Sequence, residues 1–126
     1  MNNDWKTFTS ENHQFDFSGD KLEQSWPNLH TGNLEPFPEN IVLQEAWRCY
    51  HQGDFANAVS LGKKLGAQGA VVTAFSTVIY AQYMEEDGDE KIKLFKEAMA
   101  LCEEHIDSSE QNHNLYYIYA VAMGRY

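Results

Sequence analysis

The chain has 126 residues, enough for one domain with one sizeable core and too few for two of ordinary size. A net charge of −10 repels phosphate backbones and anionic headgroups, which argues against nucleic acid and membrane surfaces as partners. Two cysteines, Cys49 and Cys102, are too few for a disulfide-stapled secreted scaffold, no basic segment leads into an apolar run at the N-terminus, and no stretch has the length of a membrane span, so the chain reads as cytoplasmic.

Residues 1–18 scatter Trp5, Phe8, Phe15 and Phe17 among Asn, Ser, Thr and Asp without helical or strand periodicity, which predicts an irregular arm. Its rings predict that it docks on this domain or a neighbour, because solvated arms carry fewer aromatics. From Asp20 onward, Leu22, Trp26 and Leu29 follow an i, i+4, i+7 stripe, and Gly32 stands where a terminating glycine belongs, the pattern of a short helix. Pro27 opposes a continuous one, since an interior Pro removes a hydrogen bond and crowds the preceding turn; a helix starting near Trp26, or two short turns, is expected instead. Glu35-Pro36-Phe37-Pro38 predicts an extended connector. Residues 1–38 therefore read as arm, short helix and connector, and residues 39–126 as the helical domain.

Within that domain, Ile41, Val42, Ala46, Cys49 and Tyr50 form the inner stripe of a helix over 39–52, with Leu43 and Trp47 widening the apolar surface. Gly53 can take the left-handed conformation that ends a helix, and the Asp54 carboxylate can accept from the free N–H groups of the next. A second helix carries Phe55, Ala58, Val59, Gly62 and Leu65 on one side, and Gly66-Ala67-Gln68-Gly69 breaks it. The third, over 70–86, is nearly continuous in apolar residues and is expected to be the central helix, buried on several sides. Asp87-Gly88-Asp89 repeats the stop-and-start chemistry with Asp89 as the cap. Ile92, Phe95, Met99, Cys102 and Ile106 then mark the buried stripe of a fourth helix. After Asp107-Ser108-Ser109, a fifth helix over 110–126 places Leu115, Ile118, Ala122 and Tyr126 on one face and Tyr116, Tyr119 and Met123 on the adjoining one. The expected fold is all-α: about five helices in antiparallel hairpins, with an irregular N-terminal arm.

Two internal echoes pass through the Gly53-Asp54 joint. Gly88-Asp89 repeats it about 35 residues on, close to the period of roughly 34 residues used by helix-turn-helix solenoids. Running backward, Trp26, Leu29, His30, Gly32, Asn33 and Leu34 match Trp47, Tyr50, His51, Gly53, Asp54 and Phe55 in the pattern W-x-x-[LY]-H-x-G-[ND]-[LF]. That offset is too short for a helical hairpin, so it reads as one helix-exit device used twice. Ala46, the Gly53-Asp54-Phe55 turn and Ala58 together resemble a tetratricopeptide repeat (TPR), as do Phe95 and Ala98 in a second unit and Asn114-Leu115-Tyr116-Tyr117 at the start of a third. The resemblance covers about residues 39–126, with Gly62 and Leu65 standing where an aromatic and an Ala are usual. It implies a groove lined by the first helix of each repeat, placing Leu43, Trp47, Tyr50, His51, Gln82 and Glu86 toward a partner segment, with Trp47 and Tyr50 as anchors. The alternative for Trp47 is burial under the N-terminal arm.

Solenoids end in polar capping helices, whereas the fifth helix is aromatic and has no following partner. Tyr116, Tyr117, Tyr119 and Tyr126 exceed what one bundle face buries, which points to a partner surface there, with self-association through this helix as one form. The function expected is non-catalytic protein-protein interaction with a protein or peptide partner and no cofactor. A helical metal-binding protein or enzyme is the alternative. Cys49 with His51 and Cys102 with His105 could offer four zinc ligands, but residues two apart on a helix diverge by about 200°, so the first pair converges poorly. Glu85-Glu86-Asp87-Gly88-Asp89-Glu90 lacks the residue order of a calcium loop, and the glycines of 62–69 lack phosphate-loop spacing.

Overall fold

In the computed structural model, which describes residues 5, 20–30, 35, 37–106 and 112–125, all regular structure is helical. The helices are α1 (Lys21–Leu29), α2 (Ile41–His51), α3 (Phe55–Lys64), α4 (Ala70–Tyr83), α5 (Gly88–His105) and α6 (Asn112–Arg125). From α2 onward each helix packs antiparallel against the next, and α4 also touches α2 and α6. Thus α2, α4 and α6 form one layer, with α3 and α5 packed against it.

The joints explain the hairpins. Asn40 caps α2, its side-chain oxygen accepting from the N–H groups of Val42 at 2.8 Å and Leu43 at 3.1 Å. At the far end Gly53 has φ 86°; the Asp54 N–H donates to the Cys49 carbonyl at 2.8 Å and the Gly53 N–H to that of Tyr50 at 3.1 Å. This is a Schellman ending, and only glycine takes that φ without strain. Asp54 then caps α3, accepting from the backbone N–H of Asn57. At the next joint the capping residue is Asp87 rather than Asp89: its Oδ1 accepts from the N–H groups of Asp89 and Glu90, so Gly88 is already inside α5. Asp89 lies in the first turn, where its charge still complements the helix dipole.

Helix α4 is the centre. Ala70, Val71, Val72, Ala74, Val78 and Ala81 are all buried, as its uninterrupted apolar sequence requires, although it stops at Tyr83 rather than continuing to 86. Gly62 of α3 and Gly69 let the two helices approach at their closest point. A Cβ at Gly69 would sit 1.9 Å from the Gly62 carbonyl oxygen, and one at Gly62 would sit 2.2 Å from Thr73 Oγ1. Backbone cannot yield as a flexible side chain does, so Gly69→Ala is expected to cost about 3 kcal/mol or more, read as a lowered denaturant midpoint. Gly88→Ala, where a Cβ meets nothing within 4 Å, is the control and should leave the midpoint nearly unchanged.

Ile41 and Val42, expected on the inner stripe of α2, are 78% and 40% exposed, and two further expectations are corrected. Helix α1 runs unbroken through Pro27, because burial of Leu22 and Trp26 against the core offsets the backbone hydrogen bond that Pro omits. The buried stripe of α5 is rotated to Leu94, Phe95, Ala98 and Cys102; Ile92 is 39% exposed, and Met99 and Ile106 only partly buried. On α6 the expected face of Leu115, Ile118 and Ala122 is buried, joined by Asn114, while Tyr126 and the Gly32 helix stop lie outside the described residues. Of the N-terminal arm, Trp5 is described: it stacks on Tyr80 with ring centroids 4.0 Å apart and, with residues of α3, α4 and α5, lines a cleft of about 280 Å³.

Candidate functional site

Helices α1 and α2 meet through a matched set of side chains. Leu22, Trp26 and His30 lie at i, i+4, i+8 along α1, and Leu43, Trp47 and His51 at the same spacing along α2, so each set follows one side of its helix. The Trp26 ring stands edge-on to Trp47 with centroids 5.6 Å apart. His30 stacks on Trp26 at 3.8 Å, and His51 lies along Trp47 at 5.8 Å. Between the tryptophans the two imidazoles face each other, Nε2 to Nε2, at 2.8 Å. One ring must donate and the other accept, so a neutral pair of opposite tautomers satisfies the contact.

The connector closes one side of this cluster. Phe37 packs edge-on against Trp26, and the Trp26 indole N–H donates to the Glu35 carbonyl at 2.6 Å. The Glu35 carboxylate accepts from the side-chain amide of Asn114 at the start of α6, a contact with Glu35 8% and Asn114 2% exposed. A second run of rings crosses the layer: Tyr50 of α2, Phe75 of α4 and Tyr117 of α6, with successive centroids 6.2 and 6.4 Å apart. Tyr117 is 59% exposed, so this run begins in the core and ends at the surface.

Burial sets the proton affinities. Removal from water, with His30 adjacent, pulls His51 down from 6.5 to about 3. Burial, with Tyr117 nearby, pushes Tyr50 up to about 12. Burial first, then the charges of Asp54 and Glu45, raises the Cys49 thiol to about 11, and burial with Glu103 raises Cys102 to about 12. Both cysteines are protonated at neutral pH, the opposite of a nucleophilic thiolate.

The structure separates the residues that sequence reading grouped as partner-binding. Trp47 is 1% exposed and sits under Trp26 and His30 rather than lining an open groove. Leu43, Tyr50 and His51 are only partly exposed beside it. Gln82 is half-buried near the end of α4, and Glu86 lies beyond that helix on the exposed joint, so these two do not join the cluster. Tyr116 is 58% exposed on α6, Tyr119 is half-buried with its hydroxyl donating to Glu103 at 3.1 Å, and Tyr126 lies outside the described residues. For the metal alternative, the His51 ring is engaged with His30 while Cys49 donates toward Glu45, and no three His, Cys, Asp or Glu side chains among the described residues converge to hold an ion.

Comparison with protein families, with curated proteins and with solved structures finds no match. Geometry therefore carries the assignment. The residues that sequence reading missed are Trp26, His30, Glu35, Phe37, Phe75 and Asn114. A signal for two of them was present: the two copies of W-x-x-[LY]-H end α1 and α2 and also pack on each other. The contact of Glu35 with Asn114 had none, since nothing local links residues so far apart in the chain.

Proposed function

We propose that this chain is a non-catalytic protein-protein interaction module, built from TPR-like hairpins, that holds a partner through its helical surface. The observation that carries the reading is the outer face of α6. Tyr116, Tyr117 and Met123 are 58%, 59% and 56% exposed and are joined there by exposed Ala120 and Gly124, with no charge among them. Large exposed rings with no charge among these described side chains are the composition of an interface centre, and Tyr117 is braced from behind by Phe75. What supports the repeat reading is the arrangement of α2, α4 and α6 in one layer, each of the first two followed by its own antiparallel partner. The glycine at position 62, unusual for the family, suits the close approach of Gly69. Free, buried thiols at Cys49 and Cys102 fit a reducing, cytoplasmic setting, and no helix among the described residues is long and apolar enough to cross a membrane.

Tyr117→Asp combined with Tyr116→Asp should leave stability within about 1 kcal/mol, because both rings are largely exposed, while placing two charges on the face. Bait made from this variant should lose proteins that wild-type bait captures from native lysate. Light scattering should show a reduced mass if the partner is a second copy. Equal capture by both baits, together with equal mass, would sink the α6 reading.

A further inference from the structure

The α1–α2 contact has the form of a helix seated on a surface rather than of two helices interlocked. Helix α1 reaches the core through Leu22, Trp26 and the terminal His30, spaced as the anchors of an amphipathic helix in a groove. Backbone-to-backbone approach between α1 and α2 is slight compared with that within the hairpins, since tryptophan rings hold them apart. Its own helix-forming signals are weak, so its packing has to hold it: Asp20 at its start makes no side-chain cap, and Pro27 interrupts its hydrogen bonding.

We infer that α1 is a tethered ligand of the α2 surface formed by Leu43, Trp47 and His51, and that the trans occupant this surface fits is α1 of a second copy of the chain. This rests on the interaction-module reading and gives it a partner and a means of control. The chemistry selects the occupant. Leu22-x3-Trp26-x3-His30 repeats Leu43-x3-Trp47-x3-His51, and the two stripes satisfy each other Trp to Trp and His to His. A histidine is the fitting group opposite His51: a neutral imidazole of the opposite tautomer completes the bond, whereas a cation such as Lys would be stranded between two indoles. Any copy of this chain carries that stripe. A tether keeps α1 at high effective concentration, so the closed form dominates in dilute solution and exchange between copies requires its release.

The test uses the full chain and a fluorescently labelled synthetic peptide of residues 20–38. Binding of the peptide to Trp26→Ala/His30→Ala should be at least tenfold tighter than to wild type, because the variant empties the surface. Adding Leu43→Asp, at a partly exposed position of the same stripe, should abolish the gain in a chain that still unfolds cooperatively. Equal binding to both chains, or a variant without a cooperative unfolding transition, overturns the proposal, the latter because it makes α1 part of the obligate core. A second chain retains Trp26 and His30 but lacks residues 31–34, which shortens the tether. It should double its mass in light scattering while keeping its helical circular dichroism. A folded monomer there, alongside the peptide result, would keep the surface and overturn the second copy as its occupant. Neither outcome touches the α6 face, which the Tyr116 and Tyr117 variants test separately.

Discussion

Trp47→Ala is expected to lower the unfolding free energy by about 3–5 kcal/mol, measured as a shift of the denaturant midpoint at unchanged slope. The ring is 1% exposed and touches Trp26, His30, Tyr50, His51 and Phe75, so truncation leaves a cavity walled by other rings that cannot all collapse into it. For a domain whose total stability is about 5–15 kcal/mol, the loss is a large share. A loss below about 1 kcal/mol would show that the α1–α2 cluster is not packed as described. This size of effect also governs how binding experiments are read. Lost binding by Trp47→Ala reports folding as well as contact, whereas substitutions at the exposed Tyr116 and Tyr117 report contact with little effect on folding.

Mild acid is expected to destabilise the fold through the imidazole pair. His51 is held at about 3 in the folded chain against an ordinary 6.5, so below pH 6.5 the unfolded chain takes up a proton that the folded one refuses. Stability from this source is complete above pH 6.5 and falls by about 1.4 kcal/mol per pH unit toward pH 3. His30 lies opposite His51 across the pair, and Tyr50 lies beside it on α2. Carboxylates begin to titrate below about pH 5, which makes pH 5 to 6.5 the diagnostic window. His30→Phe with His51→Phe should flatten the melting temperature across that window, since two apolar rings of similar shape replace both partners of the bond. A wild-type melting temperature constant from pH 6.5 to 5 would count against the neutral pair.

Much of the fold was legible because its determinants are local. Gly53 and Asp54 bring their own stop and start chemistry, and the long apolar run of α4 has one economical solution, burial on several sides. The misreadings have physical causes as well. Asp87 and Asp89 both fit a cap by composition, and which carboxylate meets the free N–H groups depends on where the backbone turns. Ile92 belongs to a regular stripe, yet the buried face of α5 is chosen by α4 and α6, whose positions a single-helix pattern does not contain. Pro27 signalled a break that long-range burial of Leu22 and Trp26 overrode.

The candidate site divides in the same way. Sequence alone determined that the chain is helical, that its hairpins turn at Gly53-Asp54 and next to Gly88, and that the last helix carries more tyrosine than its core face could bury, because spacing, capping and composition act over a few residues. Only the tertiary structure decided that Trp47 is core rather than anchor, that the two W-x-x-[LY]-H motifs face each other, and that Tyr116 and Tyr117 rather than Tyr119 stand free on α6. Those outcomes depend on which helix lies against which, and that is settled by the joint burial of surfaces distant along the chain.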